Sequence, residues 1–214
     1  MTKTALIFWG GWEGHEPQAC ADRVTQMLTQ DGFQVDSQPG TDVLAQGDLG
    51  RFDLIVPMMT QAQIDPEALA NLIAAIQAGT GLAGFHGGMG DTFRAQPAYQ
   101  FMTGGQWVAH PGDLLDYRVQ ITAPDDPIMQ GVGDFDYHSE QYYLHVDPGI
   151  DVLATTTFDG THAPWTKGTA MPVVWKHRFG AGRVFYSALG HNAAELDHPQ
   201  AQTILRRGLT WAAR

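Results

Sequence analysis

The segment Gly84-Phe85-His86-Gly87-Gly88 follows a short apolar run and has the spacing Gly-x-His-x-Gly. Hydrolases with a nucleophile elbow have Gly-x-Ser-x-Gly at such a strand-to-helix turn, where small residues flanking the apex avoid collisions with the backbone. Histidine at the apex can act as a general base, a metal ligand or a hydrogen-bond donor, but it replaces serine or cysteine poorly in acyl transfer. The spacing therefore predicts an enzyme with another chemistry, or a binding site on an enzyme's scaffold.

Three further histidines stand in loops where predicted strands end. His15 lies in a glycine-rich loop after the first strand, and its alternative role is that of a helix cap. His110 lies in a second loop of glycines and aromatic residues, where the alternative is an ordinary surface histidine. His191 follows an apolar strand and comes directly after Gly190, so it is the strongest of the three candidates.

A carboxylate candidate lies in the segment from Tyr137 to Tyr143, which contains His138 and Glu140 two residues apart. In a strand these two side chains would point to one face, so either is a candidate for the same pocket. Glu140 is preferred, because a carboxylate among tyrosines is partly desolvated and its pKa is expected to rise toward the general acid–base range. The alternative is an exposed strand face.

Asp91 and Arg94, just past the predicted elbow, either contact a substrate or pair with each other across one helical turn. Cys20 is the only cysteine, and it lies in a helical run after Pro17 without a glycine turn to expose it, so we expect a structural role. The remaining histidines have no supporting loop pattern and are left out of the site: His145, His162, His177 and His198.

Imidazole and carboxylate groups together suit a divalent metal such as zinc. Three or more of the loop histidines with Glu140 would form such a site, and the set first chosen is His15, His86 and His110. The dense His-x-x-x-His spacing of a metal-binding helix is absent from the sequence. The metal site is therefore a hypothesis that depends on the fold bringing distant residues together.

The elements that must position these residues alternate between strand and helix in the first third of the chain. Strands are predicted at residues 4–9, 34–37, 52–57 and 82–85, with helices at 17–31 and from 66 onward. Such an order implies parallel strands joined by crossover helices, and ligands bind at the carboxyl ends of the strands in sheets of this kind.

The second half of the chain is richer in strand patterns. These are predicted at residues 116–122, 135–143, 152–157, 171–177 and 183–188, the last two joined as a hairpin by the glycine-containing turn 178–182. A helix is predicted at 198–213. Residues 1–214 are interpreted as a single domain without repeats or linkers.

The composition limits the partners of the chain. Twelve basic residues against 23 acidic ones give a net charge of −11, which repels phosphate backbones and anionic membranes. No apolar run is long enough to span a membrane, the apolar run 5–9 is too short for a signal peptide, and one cysteine cannot form an internal disulfide. We expect a cytoplasmic protein that binds neither nucleic acid nor membranes, with homo-oligomerisation left open.

Together these segments resemble the ThuA-like (trehalose-utilisation) family, whose fold is similar to class I glutamine amidotransferases. The resemblance covers nearly the whole chain, and GFHGGMGDTFR and MPVVWKHRFGAGRVFYSALGH are its most specific segments. It implies an α/β, flavodoxin-like three-layer sandwich with a mainly parallel central sheet and an extra β hairpin in the C-terminal half. His86 and His191 stand where an amidotransferase has its catalytic cysteine and histidine, so the resemblance does not imply glutaminase activity.

The resemblance also implies a sugar substrate, a 3-keto-glycoside or a related oxidised carbohydrate. Its keto group acidifies the neighbouring C2 proton, whose removal is followed by elimination, isomerisation or hydrolysis. His86 is then the base or a metal ligand, Glu140 its acid–base partner, and His191 the electrophile or a second base. The residues expected to bind substrate are Trp12, His15, Asp91, Arg94, Trp107, His110 and Tyr142. A non-catalytic ligand-binding or regulatory module and a true amidotransferase are the alternatives.

Overall fold

The computed structural model describes residues 2–214, and strands dominate it. The strands are β1 (Thr4–Gly11), β2 (Gln34–Pro39), β3 (Leu54–Thr60), β4 (Gly81–Phe85), β5 (Gly105–Ala109), β6 (Leu114–Ile121), β7 (Phe135–Glu140), β8 (Tyr143–Val146), β9 (Asp151–Thr157), β10 (Ala170–Phe179) and β11 (Gly182–Ser187). The helices are α1 (Pro17–Gln30), α2 (Asp42–Gln46), α3 (Pro66–Ala78), α4 (His86–Gly90), α5 (Pro97–Thr103) and α6 (Pro199–Ala212).

Nine strands form one sheet in the order β2-β1-β3-β4-β11-β10-β9-β6-β7, while β5 and β8 form a separate two-stranded sheet. The first five strands of that order are parallel, which confirms the prediction made from the alternating pattern. Because parallel strands point the same way, their carboxyl ends meet at one edge of the sheet. With helices packed against it, this sheet is the expected flavodoxin-like α/β fold.

Local sequence signals account for the helix α3, which packs against the parallel half. Asp65 caps its N-terminus by accepting a hydrogen bond from the backbone N–H of Glu67, and Pro66 occupies the first turn. The helix ends at Gly79, whose φ of 121° is strained for a residue with a side chain. Its apolar stripe, which includes Leu72 and other fully buried residues, covers the sheet and stabilises it by about 1.5–3 kcal/mol per large side chain.

The remaining pairings in the large sheet are antiparallel. They include the pairing of β10 with β11, which is the predicted hairpin. The single strand predicted at 135–143 is wrong, because the chain turns at Gln141 and Tyr142 and its two halves enter different sheets. At this turn the side-chain amide of Gln141 donates to Thr156 Oγ1 at 2.8 Å. The short elements α2, α5 and β5 were not predicted, since glycines and polar residues hide their patterns.

Among residues 2–214, no helix combines the length and the apolar composition needed to cross a membrane.

Candidate active site

The predicted elbow is present at the junction of β4 and α4. His86 is the first residue of α4 and has a φ of 44°, a left-handed conformation that residues with side chains rarely adopt. Such local strain is characteristic of functional sites. The hydroxyl of Tyr186 donates to the His86 carbonyl oxygen at 3.1 Å, and this buried bond helps to fix the strained residue.

Four of the predicted residues converge, and we call them the imidazole centre: His15, His86, Glu140 and His191. One ligand atom from each lies within 4.8 Å of all the others. The three histidines follow the parallel strands β1, β4 and β11, so they meet at the carboxyl edge of the sheet. Glu140 reaches the same place from the end of β7, in the antiparallel half.

The Glu140 carboxylate is the hub of this centre. Its Oε2 atom lies 3.1 Å from His86 Nε2, 3.5 Å from His191 Nδ1 and 4.0 Å from His15 Nε2. The other oxygen, Oε1, lies 3.8 Å from His110 Nε2. His110 therefore stands on the outer side of the carboxylate and does not belong to the compact four-residue group, in contrast to the metal-ligand set first chosen from the sequence.

Hydrogen bonds behind the rings determine which nitrogen atoms face the carboxylate. His86 Nδ1 lies 2.9 Å from the carbonyl oxygen of Ala188, which can only accept, so Nδ1 carries the proton. In a neutral ring, His86 Nε2 would then present a lone pair to Glu140 Oε2, and two acceptors would face each other. Either a proton or a metal cation between them satisfies the contact. His15 Nδ1 is likewise held, by Thr60 Oγ1 at 2.8 Å.

The centre holds its members in different charge states. Burial lowers the pKa of His15 to about 3, with help from the nearby His86 and His191, so this ring is neutral at pH 7. The Glu140 carboxylate raises the pKa of His191 and favours its imidazolium form. Burial by itself raises the pKa of Glu140, but the contacts with His191 and His86 outweigh it and hold this pKa below its usual range. The expected rise for Glu140 is therefore wrong, because tyrosines are not its closest neighbours.

Tight packing fixes the imidazole rings from behind. A Cβ at Gly87 would stand 2.4 Å from a ring carbon of His15, so only glycine leaves room for that ring. Gly190, with a φ of 106°, forms the turn that delivers His191. Tyr142 stacks on His86 with ring centroids 4.1 Å apart and is only 4% exposed. No face of Tyr142 is left for a sugar, so its ring supports His86 instead of contacting the substrate.

The other predicted substrate-binding residues surround the centre. Trp12 is 47% exposed and its ring meets that of His15 edge-on at 4.7 Å. Arg94 pairs with the buried Asp91, with Nη2 2.7 Å from Oδ2, and its guanidinium lies over the ring of Trp107. Trp107 in turn stands beside His110, with centroids 5.6 Å apart. Asp91 and Arg94 thus bind each other, while Trp12 presents a free aromatic surface.

Two further residues with reactive side chains lie outside the centre. His138 points to solvent and pairs with Asp116 on the neighbouring strand, at 2.8 Å. Cys20 is buried, donates its thiol to the His15 carbonyl oxygen, and has a pKa raised by burial to about 12. A thiol in that state is a poor nucleophile.

Sequence reasoning missed the residues that hold the site from outside. Thr60 ends β3 and binds His15, and a polar residue closing a fully buried strand was a usable signal. Glu195 accepts hydrogen bonds from the His191 backbone N–H and from the Tyr137 hydroxyl. Neither Glu195 nor the Tyr186 hydroxyl had any local signal, since their partners are distant in sequence.

Comparisons with known proteins find solved structures of the same fold. A putative ThuA-like protein from Parabacteroides merdae is 20% identical, with a TM-score of 0.78, and the match covers 99% of this chain and 89% of that one. A putative ThuA-like protein from Bacteroides uniformis is 18% identical, with a TM-score of 0.76 and coverages of 98% and 90%. A cytoplasmic protein from Salmonella typhimurium is 15% identical, with a TM-score of 0.71 and coverages of 99% and 100%.

At these identities the structural matches show a shared fold. No match is found among curated protein sequences. The model of the family described as ThuA, trehalose utilisation, matches residues 4–212. The chain therefore belongs to the ThuA trehalose-utilisation family.

Proposed function

We propose that this protein is an enzyme that acts on a 3-keto-glycoside or a related oxidised sugar by removing the proton next to the keto group. Membership of the trehalose-utilisation family supports a role in sugar metabolism. The proposal of proton removal from a keto-sugar rests on the imidazole centre. There His86 as a base, the Glu140 carboxylate and the ring of His191 lie close enough together to act on one small substrate.

The tautomer of His86 suits it to the role of base. Nε2 carries the lone pair when the ring is neutral, and a proton taken up there lies against Glu140 Oε2, 3.1 Å away. The carboxylate then stabilises the imidazolium by its charge, at the same nitrogen that takes up the proton. Glu140, held ionised by its neighbours, is the partner of the base and not an initial proton donor.

His191 is suited to stabilising the other product of proton removal. Loss of the C2 proton leaves an enediolate, whose negative charge is stabilised by a nearby positive group. The Glu140 carboxylate raises the pKa of His191 and so favours its cationic form, with Nδ1 3.5 Å from Glu140 Oε2. Elimination, isomerisation or hydrolysis of the glycosidic bond are the three outcomes open to this intermediate.

The same residues suit a divalent metal such as zinc. His86 donates its Nδ1–H to a backbone carbonyl, as metal-binding histidines usually do, and the buried His191 Nδ1 faces Glu140 Oε2 at 3.5 Å. The four ligand atoms of the centre lie within 4.8 Å of one another, and imidazole and carboxylate are groups that zinc binds. When bound, the metal would polarise the keto oxygen as a Lewis acid. His15, His86, Glu140 and His191 would hold it.

The sugar itself would lie outside the centre, because the space behind His15 and His86 measures only about 20 Å³, room for one water molecule. On the open side, the exposed ring of Trp12 offers the flat apolar surface on which sugars stack. His110, 28% exposed along its side chain, would contact the sugar hydroxyl groups. We place the reaction in the cytoplasm, as the similarity to a Salmonella protein described as cytoplasmic supports.

One observation favours a non-catalytic ligand-binding module instead. Glu140 is surrounded by imidazoles that hold its pKa low, so the centre has no carboxylic acid to protonate a leaving group. In such a module the elbow would have kept its shape and lost its reaction. The two functions differ in turnover, since a binding module retains the keto-sugar unchanged.

Incubation with a 3-keto-glucoside, with and without chelator, tests the proposal. The wild type should consume the compound, and His86→Ala should not. His138→Ala is the matched control, because this histidine lies on the same segment as Glu140 but points to solvent. Loss of turnover in chelator alone assigns the reaction to a metal form, while binding without turnover in any condition identifies a ligand-binding module.

A further inference from the structure

A second cavity lies on the other side of the segment that carries Glu140, and we call it the strand-edge pocket. It has a volume of about 230 Å³ and lies between β6, the end of β9 and the loop 158–166. Its walls combine polar and aromatic side chains, which include Tyr117, Gln141, Thr157 and Phe158. None of the residues of the imidazole centre lines it.

Backbone groups form the most polar wall of this pocket. Ile121 N–H donates toward the β7 side, to Asp134, and Thr122 N–H donates toward the β9 side, to Leu153. Because successive residues of a strand alternate in direction, the peptide groups of Asp116 and Arg118 also point toward β9. The β6–β9 ladder pairs only Gln120–Thr155 and Ile121–Ala154. Within residues 2–214, the inward peptide groups of Asp116 and Arg118 thus have no ladder partner and face the pocket.

Side chains add further hydrogen-bonding groups. Gln141 is only 5% exposed, and its amide nitrogen is used by Thr156 Oγ1. Thr157 Oγ1, which lines the pocket, donates to Gln120 Oε1 at 3.1 Å and can still accept a hydrogen bond. Unpaired buried polar groups are costly, so this wall is suited to a ligand or water that supplies both donors and acceptors.

The pocket and the imidazole centre share the segment Glu140-Gln141-Tyr142 as a wall. Glu140 and Tyr142 face the centre, where they contact His86, while Gln141 between them faces the pocket. The two sites are distinct in that they share no lining residue. They are nevertheless one residue apart along the chain.

We propose that the strand-edge pocket binds a neutral, polyhydroxylated molecule with the size of one pyranose ring. Strand-edge peptide groups, the Gln141 side-chain oxygen and Thr157 Oγ1 match alternating hydroxyl donors and acceptors, while the buried Tyr117 and Phe158 only close the wall. Charges of both signs line the pocket, namely Asp116, Arg118 and Asp159, so no single charge selects an ion. A cavity of about 230 Å³ is too small for an added peptide strand.

Ligand-observed saturation-transfer NMR with D-glucose at roughly 20 mM tests the site. Wild type and Glu140→Gln should bind, because the second variant alters only the imidazole centre. Thr161→Trp, at the exposed rim of the pocket, should weaken binding at least about tenfold, while Thr29→Trp on α1 should not. If Thr161→Trp fails to unfold cooperatively, Gln141→Leu takes its place.

Two results overturn the proposal. The absence of a glucose signal with wild type means that water alone occupies the pocket. Binding that is lost in Glu140→Gln but kept in Thr161→Trp and in Gln141→Leu assigns glucose to the imidazole centre. Because the probe is an unoxidised sugar and the readout is binding, failure to turn over a keto-sugar does not affect this test.

Discussion

The imidazole centre and the strand-edge pocket lie on opposite sides of the same three residues, and different kinds of chemical group line them. Side chains form the centre: three histidines from strand ends surround one carboxylate. Peptide groups of β6 that have no ladder partner, at the point where β6 and β9 separate, form much of the pocket. Side chains can be recognised in a sequence, while an unpaired strand edge follows only from the way the strands separate. The centre is suited to chemistry on a reacting atom, and the pocket to recognition of a whole molecule.

Removing the charge of Glu140 should separate the two sites most sharply. Glu140→Gln keeps the shape of the side chain but takes away the counter-charge of His86 and His191. We expect keto-sugar turnover to fall by about 10³-fold, within the range of acid–base contributions, while glucose binding in the strand-edge pocket stays unchanged. Rates for His138→Ala should match wild type. Turnover that survives in Glu140→Gln would contradict the role of the centre.

Removing one ring should distinguish the sites by their affinity for metal. His86→Ala deletes a proposed ligand, and we expect zinc affinity, measured by calorimetry after chelator treatment, to fall at least about 100-fold. Thr161→Trp, which alters only the pocket, serves as the control and should bind zinc as wild type does. Equal zinc binding by His86→Ala and wild type would leave the proton-bridged form of the His86–Glu140 contact as the explanation.

The pH dependence of stability should reveal the burial of the centre. The pKa of His15 is about 3 in the folded protein and about 6.5 when unfolded, so between these values the unfolded chain binds a proton that the folded one does not. Stability should therefore fall as the pH is lowered below 6.5. His15→Gln should reduce this slope by up to about 1.4 kcal/mol per pH unit.

Chemical denaturation of the metal-free protein at pH 5.0 to 6.5 measures this slope. Glu140 does not interfere, because its pKa is lowered from a value already below this range. His177, whose pKa is also lowered by burial, contributes with the same sign, and His191, whose pKa is raised by Glu140, contributes with the opposite sign; both residues are present in both proteins. Identical slopes for wild type and His15→Gln would mean that His15 is not buried as a neutral ring.

The smallest effect is expected from Cys20, which lies beside the centre without taking part in it. Cys20→Ser should leave turnover, zinc affinity and glucose binding unchanged within error. A thiol reagent should likewise have no effect on the folded protein, because the group is buried and its pKa is raised to about 12. Glutamine hydrolysis that depends on Cys20 would instead support the amidotransferase alternative.

Much of the centre was predictable because a simple rule places it. Histidines that follow parallel strands must meet at one edge of the sheet, and His15, His86 and His191 do. The choice of Glu140 over His138 rested on its tyrosine neighbours, yet its actual neighbours are imidazoles, which reverses the direction of its pKa shift. The tyrosine-rich segment therefore identified the correct carboxylate, but it predicted the wrong direction for the pKa shift of Glu140.

The rest depended on contacts between residues far apart in the chain. The turn at Gln141 that ends β7 has no glycine or proline, so 135–143 was taken as one strand. The tautomer of His86 depends on the Ala188 carbonyl, and the support from Tyr142 depends on that same turn. The strand-edge pocket follows from the parting of β6 and β9, for which side-chain patterns give no signal.

The most direct test is the conversion of a 3-keto-glucoside followed by carbon NMR, with wild type and Glu140→Gln side by side. We predict loss of the C2 proton and formation of a new product with the wild type, and neither with the variant. Exchange of the C2 proton with deuterated solvent would report proton removal even if the product forms slowly. No exchange and no product with the wild type, with or without added zinc, would contradict the assignment of the imidazole centre as a catalytic site.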